Sequence, residues 1–64
     1  MEVGLRIKEI RELSNISQEK LAKKTKILNQ SQICKIENGQ RALKANELLK
    51  IADVLNVEIT ELIS

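Results

Sequence analysis

The sequence predicts an all-α fold in which residues 1–64 form one compact domain of five helices. The chain contains no proline and only two glycines, so it is poor in hairpin turns and rich in residues that favour helices. Aliphatic residues recur at helical spacing, and polar capping residues stand between the helical stretches. A chain of 64 residues holds a single core, which must be aliphatic because Phe, Tyr and Trp are absent.

Periodicity and capping signals define the first two helices. Aliphatic residues at every third or fourth position predict a first helix over about residues 2–14. Ser17 is a good N-cap for a second helix over about 18–25, and Glu19 is favourably placed in its first turn.

The third helix has the clearest boundaries. Asn29 followed by Gln32 forms a capping box, which predicts a helix over about 30–37. Asn38 and Gly39 then end this helix, because glycine readily adopts the left-handed conformation that follows a helix.

The fourth and fifth helices are predicted over about 45–55 and 59–63, although Lys44 and Glu58 are poor caps. Hydrophobic staples support all four later helix starts, with the pairs Ile16/Leu21, Leu28/Ile33, Leu43/Leu48 and Val57/Leu62. The expected inward residues of the fourth helix are Leu48, Leu49, Ala52 and Leu55.

Basic residues concentrate in the middle of the chain. Residues 17–44 carry seven basic and two acidic residues, a balance of +5. Residues 45–64 carry one basic and four acidic residues, a balance of −3. A basic middle on a nearly neutral domain indicates phosphate contact over one face. The alternative is a lysine-rich helix that is simply solvated.

The second and third helices are short and only about four residues apart, which is helix-turn-helix geometry. On the third helix Ile33 and Ile36 face the core, and the outward residues are Gln30, Ser31, Cys34 and Lys35. Glutamine pairs with adenine N6 and N7, lysine with guanine O6 and N7, and serine with either kind of edge. This pattern favours reading of double-stranded DNA in the major groove over plain solvation.

Four segments carry a family resemblance: Ile7–Arg11 (IKEIR), Ser17–Ala22 (SQEKLA), Ile33–Gly39 (ICKIENG) and Leu48–Val57 (LLKIADVLNV). In this order and spacing they resemble the Cro/C1-type (XRE-like) helix-turn-helix domains of lambdoid phage repressors and bacterial regulators. The resemblance covers about residues 5–63. It implies a lambda-repressor-like five-helix fold, a third helix in the major groove, and transcription regulation, with repression as the expected mode.

The resemblance also implies roles for individual residues. The positions that match base readers are Gln30, Ser31 and Lys35. The positions that match contacts to the DNA backbone are Gln18, Asn38 and Gln40. Gln18 would in addition support the first base reader, and Arg11 and Glu37 match a buried ion pair. Without DNA contact, Gln18 is a plain first-turn residue and Asn38 is a turn residue before Gly39.

Two features depart from the family pattern. The spacing from Leu21 to Ile33 is one residue longer, and the usual turn glycine is missing from residues 25–28. These departures predict either a longer turn or a second helix that runs on. Leu43 stands where the family often has proline, which frees the loop before the fourth helix.

The composition argues against several classes of protein. With no histidine, one cysteine and one aspartate, the chain offers no catalytic triad or metal-ligand set, so we expect no enzyme, cofactor or metal. Stacking of bases on aromatic side chains is excluded. Cys34 is expected to fill a small-residue slot rather than to sense oxidants. A lone thiol, no signal peptide and no membrane span predict a cytoplasmic protein.

One recognition helix reads only a few base pairs, so we expect a weak homodimer on a pseudo-palindromic operator. The candidate dimer surface on the fifth helix consists of Ile59, Leu62 and Ile63. One of the three can pack inward as the staple partner of Val57, which leaves apolar surface beyond the needs of the core. In the alternative, all three residues cover the core. The rival function is a protein-interaction module, such as the antitoxin of a toxin–antitoxin pair. The residues alone do not choose among a phage repressor, an antitoxin and a restriction–modification controller.

Overall fold

Five helices account for all the regular structure between residues 2 and 63, the part of the chain that the computed structural model describes. In chain order they are α1 (Val3–Leu13), α2 (Gln18–Thr25), α3 (Gln30–Glu37), α4 (Ala45–Leu55) and α5 (Ile59–Ile63). The prediction of an all-α five-helix fold is confirmed. Helix α1 is one residue shorter at each end than predicted. None of these helices is long and apolar enough to cross a membrane.

Side-chain caps fix where α2 and α3 begin. The Ser17 hydroxyl accepts a hydrogen bond from the Lys20 backbone N–H at 3.0 Å. At α3 the Asn29 side chain accepts from the Gln32 N–H at 2.8 Å, and the Gln32 side chain accepts from the Asn29 N–H at 2.9 Å. Both caps satisfy N–H groups that a helix start otherwise leaves unpaired.

The helices α4 and α5 begin without a side-chain cap from the residue that precedes them. Instead the Glu47 carboxylate accepts from the Lys44 N–H at 3.0 Å, and the Glu61 carboxylate accepts from the Glu58 N–H at 2.9 Å. A glutamate in the first turn of each helix thus accepts a hydrogen bond from the backbone N–H of the residue before the helix. It also places negative charge at the positive end of the helix dipole.

The core lies where α2 packs on α3 and α4, while α1 packs on α3 and α5. It is entirely aliphatic and consists of Ile7, Ile10, Leu21, Ala22, Leu28, Ile33, Ile36, Ile51, Ala52, Leu55 and Leu62. Burial of Ile33 and Ile36 decides which face of α3 points outward. The residues of the four predicted staples are all buried or half-buried.

One packing expectation is wrong, and the candidate dimer surface is smaller than predicted. Leu49 is 56% exposed, and Ile51, which is fully buried, takes the inward position on α4. Leu62 is fully buried, as its predicted staple with Val57 requires, so of the candidate dimer surface it is the residue that packs inward. Because α5 is short and packs against both α1 and α4, its one inward position is needed by the core. Of the predicted dimer surface, Ile59 is half-buried and Ile63 is 50% exposed.

Of the two alternatives for the segment between α2 and α3, the structure has the longer turn, because α2 does not run on beyond its predicted end. Helix α2 ends at Thr25, and Lys26 follows in the left-handed conformation with φ of 64°. Lys26 thus occupies a left-handed conformation that glycine adopts more readily at the end of a helix. The buried Thr25 hydroxyl donates to the Ala22 carbonyl at 2.7 Å, which satisfies it inside the core.

Candidate nucleic-acid interface

The outward face of α3 carries the predicted base-reading residues. Gln30, Ser31 and Lys35 are exposed and Cys34 is half-buried, because Ile33 and Ile36 occupy the inward positions of the same helix. The Asn29 cap holds Gln30 and Ser31 at the first turn. Such a turn is the part of a recognition helix that reaches base edges.

A shallow depression of about 390 Å³ lies beside this face. Its lining residues are Gln18, Gln30, Ser31, Cys34, Lys35 and Gln40. The fold therefore brings together all three predicted base readers and two of the three predicted contacts to the DNA backbone. Side chains from α2, α3 and the following loop meet here because α2 packs directly on α3.

Asn38 lies just beyond this depression, at the end of α3. It is exposed, and its side-chain Nδ2 donates to the Cys34 Sγ at 3.5 Å. Gly39 follows with φ of 75°, which turns the chain toward Gln40. The Gln40 backbone N–H donates to the Lys35 carbonyl at 2.8 Å, so the loop is tied back onto α3.

Arg11 and Glu37 form the ion pair that the family resemblance implies. Arg11 Nε lies 2.7 Å from Glu37 Oε2, and Arg11 Nη2 lies 3.1 Å from Oε1. The third guanidinium nitrogen donates to the Ile16 carbonyl at 2.8 Å. The hydrogen bond to Glu37 raises the pKa of Arg11. Both residues are buried. Through these bonds the pair joins α1 and the loop after it to the end of α3.

Gln18 belongs to the same network, which sequence reasoning missed. Its Nε2 donates to Glu37 Oε1 at 2.9 Å. Gln18 begins α2 and Glu37 ends α3, so this bond spans the two halves of the helix-turn-helix. No short-range sequence pattern signals it, because the partners are 19 residues apart.

Not every basic residue of segment 17–44 is available to bind a phosphate. The exposed ones are Lys20, Lys23, Lys24, Lys26, Lys35 and Lys44. Arg41 is instead paired with Glu47 through two hydrogen bonds of 2.9 Å. These bonds, together with one from the Lys44 N–H, lower the pKa of Glu47 from 4.5 to about 2. The count of charges available to phosphates is thus smaller than composition indicates.

The Arg41–Glu47 pair was also missed from the sequence. The role of Glu47 could have been predicted, because it occupies the third position of α4, where a glutamate side chain accepts from the backbone N–H of the N-cap residue. Nothing local identified Arg41 as the partner. Within residues 2–63 no buried side-chain polar atom lacks a hydrogen bond, and no group of acidic or cysteine side chains is placed to hold a metal.

Five helices around an aliphatic core, with a polar third helix presented outward beside a short second helix, define a DNA-binding helix-turn-helix domain. Comparison with known proteins agrees. The helix-turn-helix family model matches residues 7–62. The crystal structure of the restriction-modification controller protein C.AhdI from Aeromonas hydrophila superimposes with a TM-score of 0.90 at 36% identity, covering 95% of this chain and 91% of that chain. No curated protein sequence matches the chain significantly.

The chain belongs to the Cro/C1-type helix-turn-helix family. Its function is DNA-binding transcription regulation. The family and the structural neighbour are DNA-binding regulators, not enzymes.

Proposed function

We propose that this chain is a sequence-specific regulator that binds an operator and controls transcription of restriction–modification genes, in the first instance by repression. The observation that carries the proposal is the outward first turn of α3, where Gln30 and Ser31 share one depression with Lys35. The choice of controller over phage repressor or antitoxin rests on the 36% identity to a restriction-modification controller across nearly the whole chain. The proposed site of action is the cytoplasm, and the role includes no catalysis or cofactor.

Each exposed residue of α3 has a proposed role. Gln30 pairs with adenine through one donor and one acceptor, and Lys35 donates to guanine O6 or N7. Ser31 pairs with a neighbouring base edge or phosphate. Asn38 and Gln40, in the loop tied to α3, are the proposed contacts to the DNA backbone. Gln18 differs from these two because its amide is already bonded to Glu37.

The first experiment tests binding and its electrostatic part. Each neutralised phosphate releases about 0.9 counterion, so affinity for a random duplex should fall steeply as salt increases. Binding is measured by titration of a labelled duplex at several salt concentrations. Negligible binding at low salt would remove the proposal and favour the protein-interaction module.

The second experiment tests base reading. Wild-type protein selects an operator from a random duplex library, and each operator position is then varied. Gln30→Ala or Lys35→Ala should lower discrimination by ~1–3 kcal/mol at particular positions. Lys23→Ala is the control, because this α2 side chain is 78% exposed and lies outside the depression. An unchanged preference in Gln30→Ala would mean that other residues read the bases.

We further propose that the operator is bound by a homodimer. The longest dimension of one copy is 25 Å, whereas half-sites on one side of the duplex lie about 34–36 Å apart. A second copy is therefore needed to read both. The proposed contact surface is Ile63 with the half-buried Ile59, on the outer side of α5.

Sedimentation with and without a palindromic duplex tests this assembly. Ile63→Glu should weaken dimer formation, since it places charge in an apolar contact. Leu13→Glu is the matched control, because Leu13 is 84% exposed on another helix. A wild-type monomer on DNA at every concentration would contradict the proposed dimer.

A further inference from the structure

One carboxylate holds the loop between α3 and α4 at two points. Glu47 Oε1 accepts from Arg41 Nη1 at 2.9 Å and from the Lys44 backbone N–H at 3.0 Å. Glu47 Oε2 accepts from Arg41 Nη2 at 2.9 Å. Residues 41–44 are not helical, yet both ends of this segment are bonded to the same buried side chain in the first turn of α4.

The other end of the loop is bonded to α3 through its backbone. The Gly39 N–H donates to the Ile36 carbonyl at 3.2 Å. The next residue, Gln40, donates its N–H to the Lys35 carbonyl at 2.8 Å and lines the depression beside the outward face of α3. Its neighbour Arg41 is already bonded to α4. The position of Gln40 is therefore fixed from both helices.

A loop that is ordered before binding favours association with DNA, because less conformational entropy is lost in the complex. This matters most for neutral contacts. The amides of Asn38 and Gln40 carry no charge, so they bind a phosphate oxygen only through hydrogen bonds, which weaken steeply when distance or angle is wrong. The attachment of the loop to α4 is thus expected to affect how well these amides bind.

We propose that Glu47 is a positioning residue for DNA binding, which acts through Arg41 to hold loop 38–44 in the conformation that binds the DNA backbone. Neither partner of the pair contacts DNA in this role. The pair sets affinity and leaves base preference unchanged, because contacts to phosphates carry no sequence information. The inference rests on the proposed contacts of Asn38 and Gln40 to the DNA backbone.

Two changes of opposite charge separate this role from plain electrostatics. Glu47→Gln makes the protein more positive and Arg41→Gln makes it less positive, so charge alone would strengthen binding in the first variant and weaken it in the second. Loss of the attachment should weaken binding in both, about 2- to 12-fold per copy, the range for ordering one side chain. Affinity for the selected operator is measured at several salt concentrations, and extrapolation to about 1 M salt removes the contribution of counterion release.

Three further measurements distinguish positioning from a loss of structure. Circular dichroism establishes that each variant is folded under the conditions of the titration. Base preference should remain that of wild type when each operator position is varied. Glu47→Gln combined with Gln40→Ala should lose less than the sum of the two single losses, because both act on one contact. Glu61→Gln is the matched control and should bind like wild type, since Glu61 caps α5 as Glu47 caps α4.

Two results would overturn the inference while the proposed backbone contacts stand. In the first, folded Glu47→Gln binds as tightly as wild type, whereas Arg41→Gln is weaker and its salt slope falls by about 0.9, which is the behaviour of a direct phosphate contact. In the second, the losses in Glu47→Gln and Gln40→Ala add in full. If Asn38→Ala and Gln40→Ala both bind like wild type, the proposed backbone contacts are themselves wrong, and the inference fails with them.

Discussion

The backbones of Gly4 and Ile36 pack directly against each other. A Cβ atom on Gly4 would collide with the Ile36 carbonyl oxygen and would lie 3.2 Å from the Glu37 Cα. The first turn of α1 therefore lies against the backbone at the end of α3, next to the residue whose carboxylate binds Arg11 and Gln18. Glycine at this position allows the close contact on which the placement of α3 depends.

Gly4→Ala should destabilise the domain by about 1–3 kcal/mol, because backbone atoms cannot move aside as a flexible side chain can. Helix propensity alone predicts the opposite sign, a gain of roughly 0.5–1 kcal/mol. Urea unfolding decides between the two. Leu5→Ala, at a neighbouring exposed position of α1, is the control and should have a smaller effect. A stabilised Gly4→Ala variant would show that the two helices are not in contact.

Removing either partner of the Arg11–Glu37 pair should cost on the order of 3–5 kcal/mol, because a buried charge is left unpaired. Arg11→Met and Glu37→Ala should each unfold most of the protein, and the double change should recover part of the loss. The matched control is the Glu19–Lys23 pair, which is 3.9 Å apart and exposed, and is worth about 0–1 kcal/mol. Mild, additive effects of the two single changes would show that the residues do not interact.

Acid should destabilise the domain partly through Glu47. Hydrogen bonds from Arg41 hold the pKa of Glu47 at about 2 in the folded protein, below the ordinary value of 4.5. The unfolded chain therefore binds this proton first, so the stabilisation is complete above about pH 4.5 and is lost as the pH falls toward 2. Unfolding of wild type and Glu47→Gln is compared over this range.

The variant should be less stable than wild type at pH 7, and the difference should shrink on acidification. Glu61→Gln is the control, because the carboxylate of this exposed glutamate accepts from the Glu58 N–H, while Arg6 binds only its backbone carbonyl. A difference between wild type and Glu47→Gln that stays constant from pH 7 to pH 2 would contradict the assignment.

Lys26→Gly should stabilise the protein by up to about 1 kcal/mol. Lys26 has φ of 64°, a conformation that costs an L-residue with a Cβ roughly 1–2 kcal/mol and glycine almost nothing. Greater freedom of glycine in the unfolded chain offsets part of this gain. Lys24→Gly, inside the same helix α2, should instead lose about 1 kcal/mol. Chemical denaturation of both variants is the measurement, and losses of equal size would show that Lys26 is unstrained.

The helix boundaries could be predicted because their signals are local. The bonds of Ser17 to Lys20 and of Asn29 to Gln32 join residues three apart, so the residue types alone imply them. The outward face of α3 followed in the same way, because Ile33 and Ile36 are three residues apart on one side of a helix. The candidate base readers were consequently visible before any tertiary contact was known.

The remaining features depend on how the helices pack together, and the sequence did not determine them. The staple with Val57 predicted the inward position of Leu62 locally, but periodicity placed Leu49 inward, and only the docking of α4 decided that Leu49 is exposed and Ile51 is buried. The hydrogen bond from Gln18 to Glu37 joins residues 19 apart in the sequence. Its direction depends on the Glu37 carboxylate, which Arg11 of helix α1 holds in place. Helix formation follows from interactions over one turn of chain, whereas these contacts follow from the mutual orientation of helices, which exists only in the folded core.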